Sequence, residues 1–367
     1  MTRARFVPDA VLGSARAGRV FTARGSFRTP CFMPVGTRGA VRLLDAADLD
    51  ALGAEVVLAN TYHLMLRPGA DVVEALGGLH RFTGRDGHIL TDSGGYQVMS
   101  LEPDVDDDGV TFRSTYDGSV HRLTPEAAVR VQEQLGADIQ MVLDICTELP
   151  AADEVVRRDT ERTLAWAARA RAAHRRSDQA QFGIVQGGVS LALRAEAADK
   201  TVTMDFDGYG IGGLSVGEPR PQMLAALAEV TSRLPAERPR YLMGVGDPAT
   251  IVDAVALGVD MFDCVLPTRL ARHGTALTSS GRLSVRAASL AADNGPLDPA
   301  CRCAVCVRYE RGYLRHLLAI GEPTAGRLLS LHNLVWLLAF AEEVRSSIVE
   351  GSLSDLRARV GAIWEPG

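Results

Sequence analysis

A chain of 367 residues that is 47% hydrophobic and 23% charged can bury a large core without covalent staples, which excludes a disulfide mini-scaffold and a disordered chain. The longest apolar run, residues 334–341, is far too short to span a membrane, and the N-terminal segment lacks the apolar centre of a secretion signal. A soluble, cytoplasmic protein with no membrane partner is therefore expected. The formal net charge of −6 excludes a uniformly basic nucleic-acid binder, yet residues 261–332 carry nine Arg against five acidic residues. Lys200 is the only lysine, so Arg content alone says little and the local clustering carries the information.

In chain order, seven short apolar runs end in glycine or a polar residue: 55–60, 88–95, 138–146, 181–188, 209–218, 240–246 and 259–268. Such near-continuous runs suit parallel strands buried on both faces. Helical patterns separate many of them, as at 154–175 and 222–233. No GxGxxG turn follows the first run, so the alternation favours an α/β (β/α)8 TIM-type barrel over a doubly wound sheet. Residues 101–122, with Pro103, an acidic run and alternating polarity, read as an inserted hairpin. The expected division is a barrel over 1–275, a zinc-binding subdomain over 276–345, and a C-terminal helix packing back over 346–367.

Asn60, Asp92, Asp144, Gln186, Gly212 and Asp263 fall at or just after the C-terminal ends of these runs, the face on which barrel enzymes carry their active sites. Two carboxylates such as Asp92 and Asp263 at one barrel mouth suit glycosyl transfer, one acting at C1′ and the other managing protons. Taken singly, either is equally a turn former or helix cap. Asp144 is placed to accept from an amidine-like N–H edge, as guanine presents. Gln186-Gly187-Gly188 and Gly212-Gly213-Leu214 let a planar ligand approach the backbone, with Tyr96 and Met243 as stacking partners.

Cys301, Cys303 and Cys306 crowd into six residues, and His332 follows with 25 residues between it and the last of them. Three thiolates and one imidazole complete a closed tetrahedral shell, so one structural Zn2+ is expected.

Several of these blocks, in this order, carry a resemblance. Asn60-Thr61-Tyr62-His63-Leu64, Asp92-Ser93-Gly94-Gly95-Tyr96-Gln97, residues 183–188, Gly212 through Glu218, residues 241–246, Asp263 through Arg269 and the cysteine cluster resemble the bacterial tRNA-guanine transglycosylases over essentially the whole chain. The resemblance implies a barrel with a zinc subdomain that exchanges guanine at the wobble position of GUN-anticodon tRNAs for 7-aminomethyl-7-deazaguanine (preQ1), in queuosine biosynthesis. It implies Asp263 as the nucleophile and Asp92 as general acid/base. Asp144, Gln186, Gly213 and Leu214 would read the base between Tyr96 and Met243, with Ser93 and Asn60 in support. It further implies Arg269 and Arg272 as contacts to the tRNA anticodon loop, and a homodimer built around Tyr309, Tyr313 and His316. Val216 would restrict the 7-substituent, where the bulkier queuine of salvage-type relatives meets glycine. Ile145 and Ser215 depart from the family pattern. Queuine insertion, a barrel glycoside hydrolase and a catalytically dead tRNA-binding paralogue are the competing readings, and retention of both Asp92 and Asp263 speaks against the last.

Overall fold

The computed structural model describes residues 3–364. Three antiparallel strands open the chain: β1 (Arg5–Leu12), β2 (Ala15–Thr22) and β3 (Gly25–Thr29). Eight parallel strands close into a barrel in chain order. They are β4 (Cys31–Gly36), β5 (Val56–Ala59), β6 (His88–Thr91) and, after three inserted strands, β10 (Ile139–Met141), β11 (Ala180–Val185), β12 (Gly208–Ile211), β13 (Arg240–Leu242) and β14 (Met261–Cys264). Every residue of β5, β6, β10, β11, β12 and β13 is buried, the consequence of packing side chains inside the barrel and helices outside it. The fold is the (β/α)8 barrel that the pattern of runs predicts.

Helix boundaries follow local chemistry. Thr124 caps the helix Pro125–Leu135 by accepting from the Ala127 N–H, Pro125 stands in its first turn, and Gly136 ends it in the left-handed region at φ 72°. Ser190 and Asp247 cap the helices Leu191–Thr203 and Pro248–Ala256 in the same way.

Two elements lie outside the seven runs. The first barrel strand, β4, contains Pro34, which removes a ladder donor and disguises the segment as a loop. The β1–β3 sheet covers the N-terminal end of the barrel. There the buried Arg16 pairs with Asp260 at 2.5 Å and donates to the carbonyls of Ala236 and Arg238. That end is thereby sealed, and the opposite mouth stays open for chemistry. The insertion expected as a hairpin adds one strand: β7 (Asp104–Asp106), β8 (Gly109–Arg113) and β9 (Val120–Leu123) form a three-stranded antiparallel meander.

After β14 comes a hairpin, β15 (Thr275–Thr278) and β16 (Gly281–Ser284), then short helices and the 28-residue helix Pro323–Glu350. A separate apolar cluster gathers here around Val285, Leu297, Val305, Leu314 and Leu329. The long helix serves both cores, giving Leu329 to this cluster and Leu337, Val344 and Ile348 to the barrel. The boundary expected at 345 thus falls inside a continuous helix, which ends at Gly351. The helix Leu353–Trp364 follows and packs Leu353, Leu356 and Val360 into the barrel core.

Candidate active site

The loops after the barrel strands enclose a cavity of about 360 Å³ lined by Asn60, Asp92, Ser93, Tyr96, Asp144, Gln186, Gly213, Leu214, Met243 and Asp263, among others. Of the residues expected around the base, Gly187 and Gly188 do not reach this space: they pack closely against the Arg194 backbone and the Val156 side chain instead, which is what their missing side chains allow.

Asp263, at the end of β14, is buried, and both of its hydrogen bonds fall on Oδ1. The Tyr241 hydroxyl donates at 2.5 Å and the Gly244 N–H at 2.7 Å. Among the described residues Oδ2 receives none, so a fixed carboxylate presents one uncommitted oxygen to the cavity. Burial raises its pKa.

Asp92 stands just beyond β6 and is half-buried. It accepts from Asn60 Nδ2 at 2.5 Å and from the N–H groups of Thr61 and Gly94. Burial outweighs these bonds and pushes its pKa up to about 6. Asp144 is also raised to about 6, by burial first, while Gln186 opposes the shift and the charge of Asp92 adds to it. Gln186 Nε2 donates to Asp144 Oδ2 at 2.6 Å. Two carboxyl groups with proton affinities near neutrality therefore share the pocket.

The glycine turn over the base site has no room for side chains. Gly213 sits at φ 63°, and a Cβ there would lie 2.2 Å from Gln186 Oε1. Ser215 adopts φ 62° despite its side chain. The Glu218 carboxylate accepts from the N–H groups of Ser215 and Val216, so the Leu214 carbonyl, trans to the Ser215 N–H, faces away from Glu218. Tyr96, 65% exposed, and Met243 both line the cavity and offer it faces on which a planar ligand can stack.

Sequence reasoning missed the group that holds these loops. Arg194 is fully buried and donates to the carbonyls of Val185, Gly188, Gly212 and Gly213 at 2.8–3.1 Å. Its signal was present, because Arg194 shares a helical stripe with the buried Ala197, Ala198 and Thr201. Tyr241, which orients Asp263, was likewise given no role.

Arg269 and Arg272 lie outside the cavity, exposed on the helix Leu266–Arg272 that follows β14. Tyr309 and Tyr313 stack at 5.5 Å in the cysteine-rich region, with Tyr313 and His316 exposed.

Cys301, Cys303, Cys306 and His332 come together as expected, their ligand atoms all within 4.8 Å of one another. His332 Nε2 lies 2.8 Å from the Leu277 carbonyl, which fixes the N–H there and turns Nδ1 toward the Cys303 and Cys306 sulfurs at 3.5 and 3.3 Å. Hydrogen bonds from Cys301 and Cys306 pull the Cys303 thiol far below its ordinary pKa. Three sulfurs and one imidazole nitrogen at these separations fit a single metal ion.

Fold and site together define a (β/α)8 enzyme with an acidic, base-sized pocket at its C-terminal mouth and a Cys3His metal site beside it. The family model described as queuine tRNA-ribosyltransferase matches residues 11–365. The queuine tRNA-ribosyltransferase of Moorella thermoacetica is 51% identical over 346 residues, covering 94% of this chain and 93% of the relative. The relative of the same name from Desulforudis audaxviator is 53% identical, with the same coverages, and that from Bacillus mycoides is 49% identical over 97% and 94%. The chain belongs to the queuine tRNA-ribosyltransferase family, a family of tRNA-modifying pentosyltransferases. No described helix is long and apolar enough to cross a membrane.

Proposed function

We propose that this protein exchanges the wobble guanine of GUN-anticodon tRNAs for preQ1 through a covalent Asp263–ribose intermediate, as a step of queuosine biosynthesis in the cytoplasm. The observation that carries the reading is the asymmetry of Asp263: Oδ1 is held by Tyr241 and Gly244, and Oδ2 is uncommitted. The oxygen bonds to ribose C1′ as the C1′–N9 bond breaks, and Asp92 gives its proton to the departing guanine. An incoming base then loses its N9 proton to Asp92 and attacks C1′, freeing Asp263. Flipping the nucleotide out is cheapest in a single-stranded loop.

Asp144 accepts from the base's N–H edge, Gln186 and the Gly213–Leu214 backbone read its other polar atoms, and Tyr96 and Met243 cover its faces. The Leu214 carbonyl, turned from Glu218, suits an aminomethyl ammonium, and the branched Val216 side chain at the cavity wall disfavours a bulkier cyclopentenediol. Arg269 and Arg272 meet anticodon-loop phosphates. The cysteine site would hold one structural Zn2+, which ties the hairpin to the long helix and takes no part in bond making. A homodimer through the Tyr309–Tyr313–His316 surface completes the reading. Labelled guanine incubated with anticodon stem-loop RNA should enter the RNA. Release of free base without incorporation would indicate a hydrolase and overturn it.

A further inference from the structure

The rim of the pocket is electrically lopsided. The connections after β10, β11, β12 and β13 (residues 142–152, 186–190, 212–219 and 243–247) contain no Arg or Lys, but they carry Asp144, Glu148, Glu218 and Asp247. On the neighbouring side Arg269 and Arg272 stand on the short helix after β14, Arg38 and Arg42 in the loop after β4, which also holds the helix-capping Asp45, and Arg67 in the helical turn after β5. Among the described residues none of these five guanidiniums forms an ion pair. Arg42 and Arg269 both lie near enough to Arg272 to lower its pKa, after burial. Cations kept this close without carboxylates mark a surface that expects an anion.

At the far end of this crescent two guanidiniums converge on one ring. Arg67 and Arg38 lie 4.5 and 5.4 Å from the Tyr116 centroid, and Arg67 also donates to the Tyr116 carbonyl at 3.4 Å. Stacking on a ring holds an Arg fork that would otherwise sample many rotamers. Asp117 lies within electrostatic reach of Arg67, but it is exposed and already holds the Ser119 N–H and hydroxyl. The Tyr116 hydroxyl meets His63 Nδ1 at 2.9 Å, and His63 lines the catalytic cavity. The platform is thus bonded to the pocket wall, although it belongs to the inserted β7–β9 segment.

Building on the functional reading above, we propose that the Arg38–Tyr116–Arg67 platform grips a phosphodiester of the RNA loop, extending the track begun by Arg269 and Arg272 along the β14–β4–β5 side of the mouth. The strand then runs along the cationic crescent while the flipped base turns toward the acidic half. The inserted meander supplies an RNA contact in place of a mere cover for the barrel.

The test measures stem-loop RNA affinity against salt for wild type, R38Q/R67Q and Y116A, with unfolding temperature and free deazaguanine affinity as controls. R38Q/R67Q should weaken RNA binding about tenfold and flatten the log–log salt slope by at least about 0.7, the value for one single-strand phosphate contact. Y116A keeps both charges but loses the platform and should weaken RNA binding in the same direction. Both controls should stay at wild-type values. An R38Q/R67Q protein with wild-type RNA affinity and slope overturns the proposal, and a Y116A protein with wild-type affinity overturns the role of the ring. Failure of the functional reading looks different, because there the wild type itself would not exchange guanine.

Discussion

Asp144 illustrates how one buried carboxyl group links the proposed base reading to stability. Its pKa is 3.8 in the ordinary case and about 6 in the fold, so the native state holds a proton that the unfolded chain has released. Below both values the shift has no effect; as pH rises between them the native state loses relative stability, and above about 6 the loss is complete. Asp144→Asn lacks this penalty, so its stability relative to wild type should be about 1 kcal/mol more favourable at pH 8 than at pH 5. Urea unfolding at the two pH values measures it, and an identical offset at both would contradict the assignment. The same variant should lose guanine affinity, the cost of replacing an acceptor with a mixed amide. In the proposed pose Val216 stands on the other side of the base. Wild type should favour preQ1 over queuine in kcat/KM by about tenfold, roughly 1.4 kcal/mol, and Val216→Gly should narrow the gap. A wild type that prefers queuine would contradict the pocket argument.

At the scale of elements, Arg194 joins the two glycine loops. Among the described residues it forms no ion pair; burial lowers its pKa to about 10, with the charge of Glu218 opposing the shift, and four carbonyl dipoles take up its N–H groups. Arg194→Met leaves those carbonyls unpaired and should cost on the order of 3 kcal/mol, with base affinity falling at least about tenfold. Arg194→Lys should not rescue it, because an ammonium cannot reproduce the fork. Calorimetry and base titration on both variants read this directly, and a fully active Lys variant would contradict it. Legibility differed by element for physical reasons. Parallel strands such as β11 and β12 show in the sequence because burial on both faces demands continuous apolar residues. Pro34 hid β4, and β1–β3 lack a clean period because one face meets polar groups such as Asp260 at the barrel base. Asp92, Asp144 and Asp263 were legible because each ends an apolar run. Arg194 and Tyr241 are harder to read because their work is to hold other groups: the helical stripe marks Arg194 only as buried, and the 241–246 block does not by itself single out the Tyr241 hydroxyl.

Across the whole molecule, the barrel and the cysteine-rich region keep separate apolar cores joined by the helix Pro323–Glu350. Asn333 pins that helix to the hairpin by accepting from the Leu277 N–H and donating to the carbonyls of Pro267 and Thr275. The metal site sits one residue away, at His332. Cys303→Ala should therefore lose bound zinc and the hydrogen-exchange protection of residues 276–320, while β5, β6 and β10–β13 keep theirs. Uniform loss of protection would contradict the two-core description, and full zinc retention would contradict the ligand assignment.

The central claim is that Asp263 becomes covalently attached to the ribose, and trapping that state tests it most directly. Wild-type protein mixed with stem-loop RNA and quenched in denaturant should yield an RNA-bearing species whose modified peptide, by mass spectrometry, contains Asp263. Asp92→Asn should form it slowly, and Asp263→Asn should not form it at all. An adduct that persists in Asp263→Asn, or one mapped to another residue, would contradict the account.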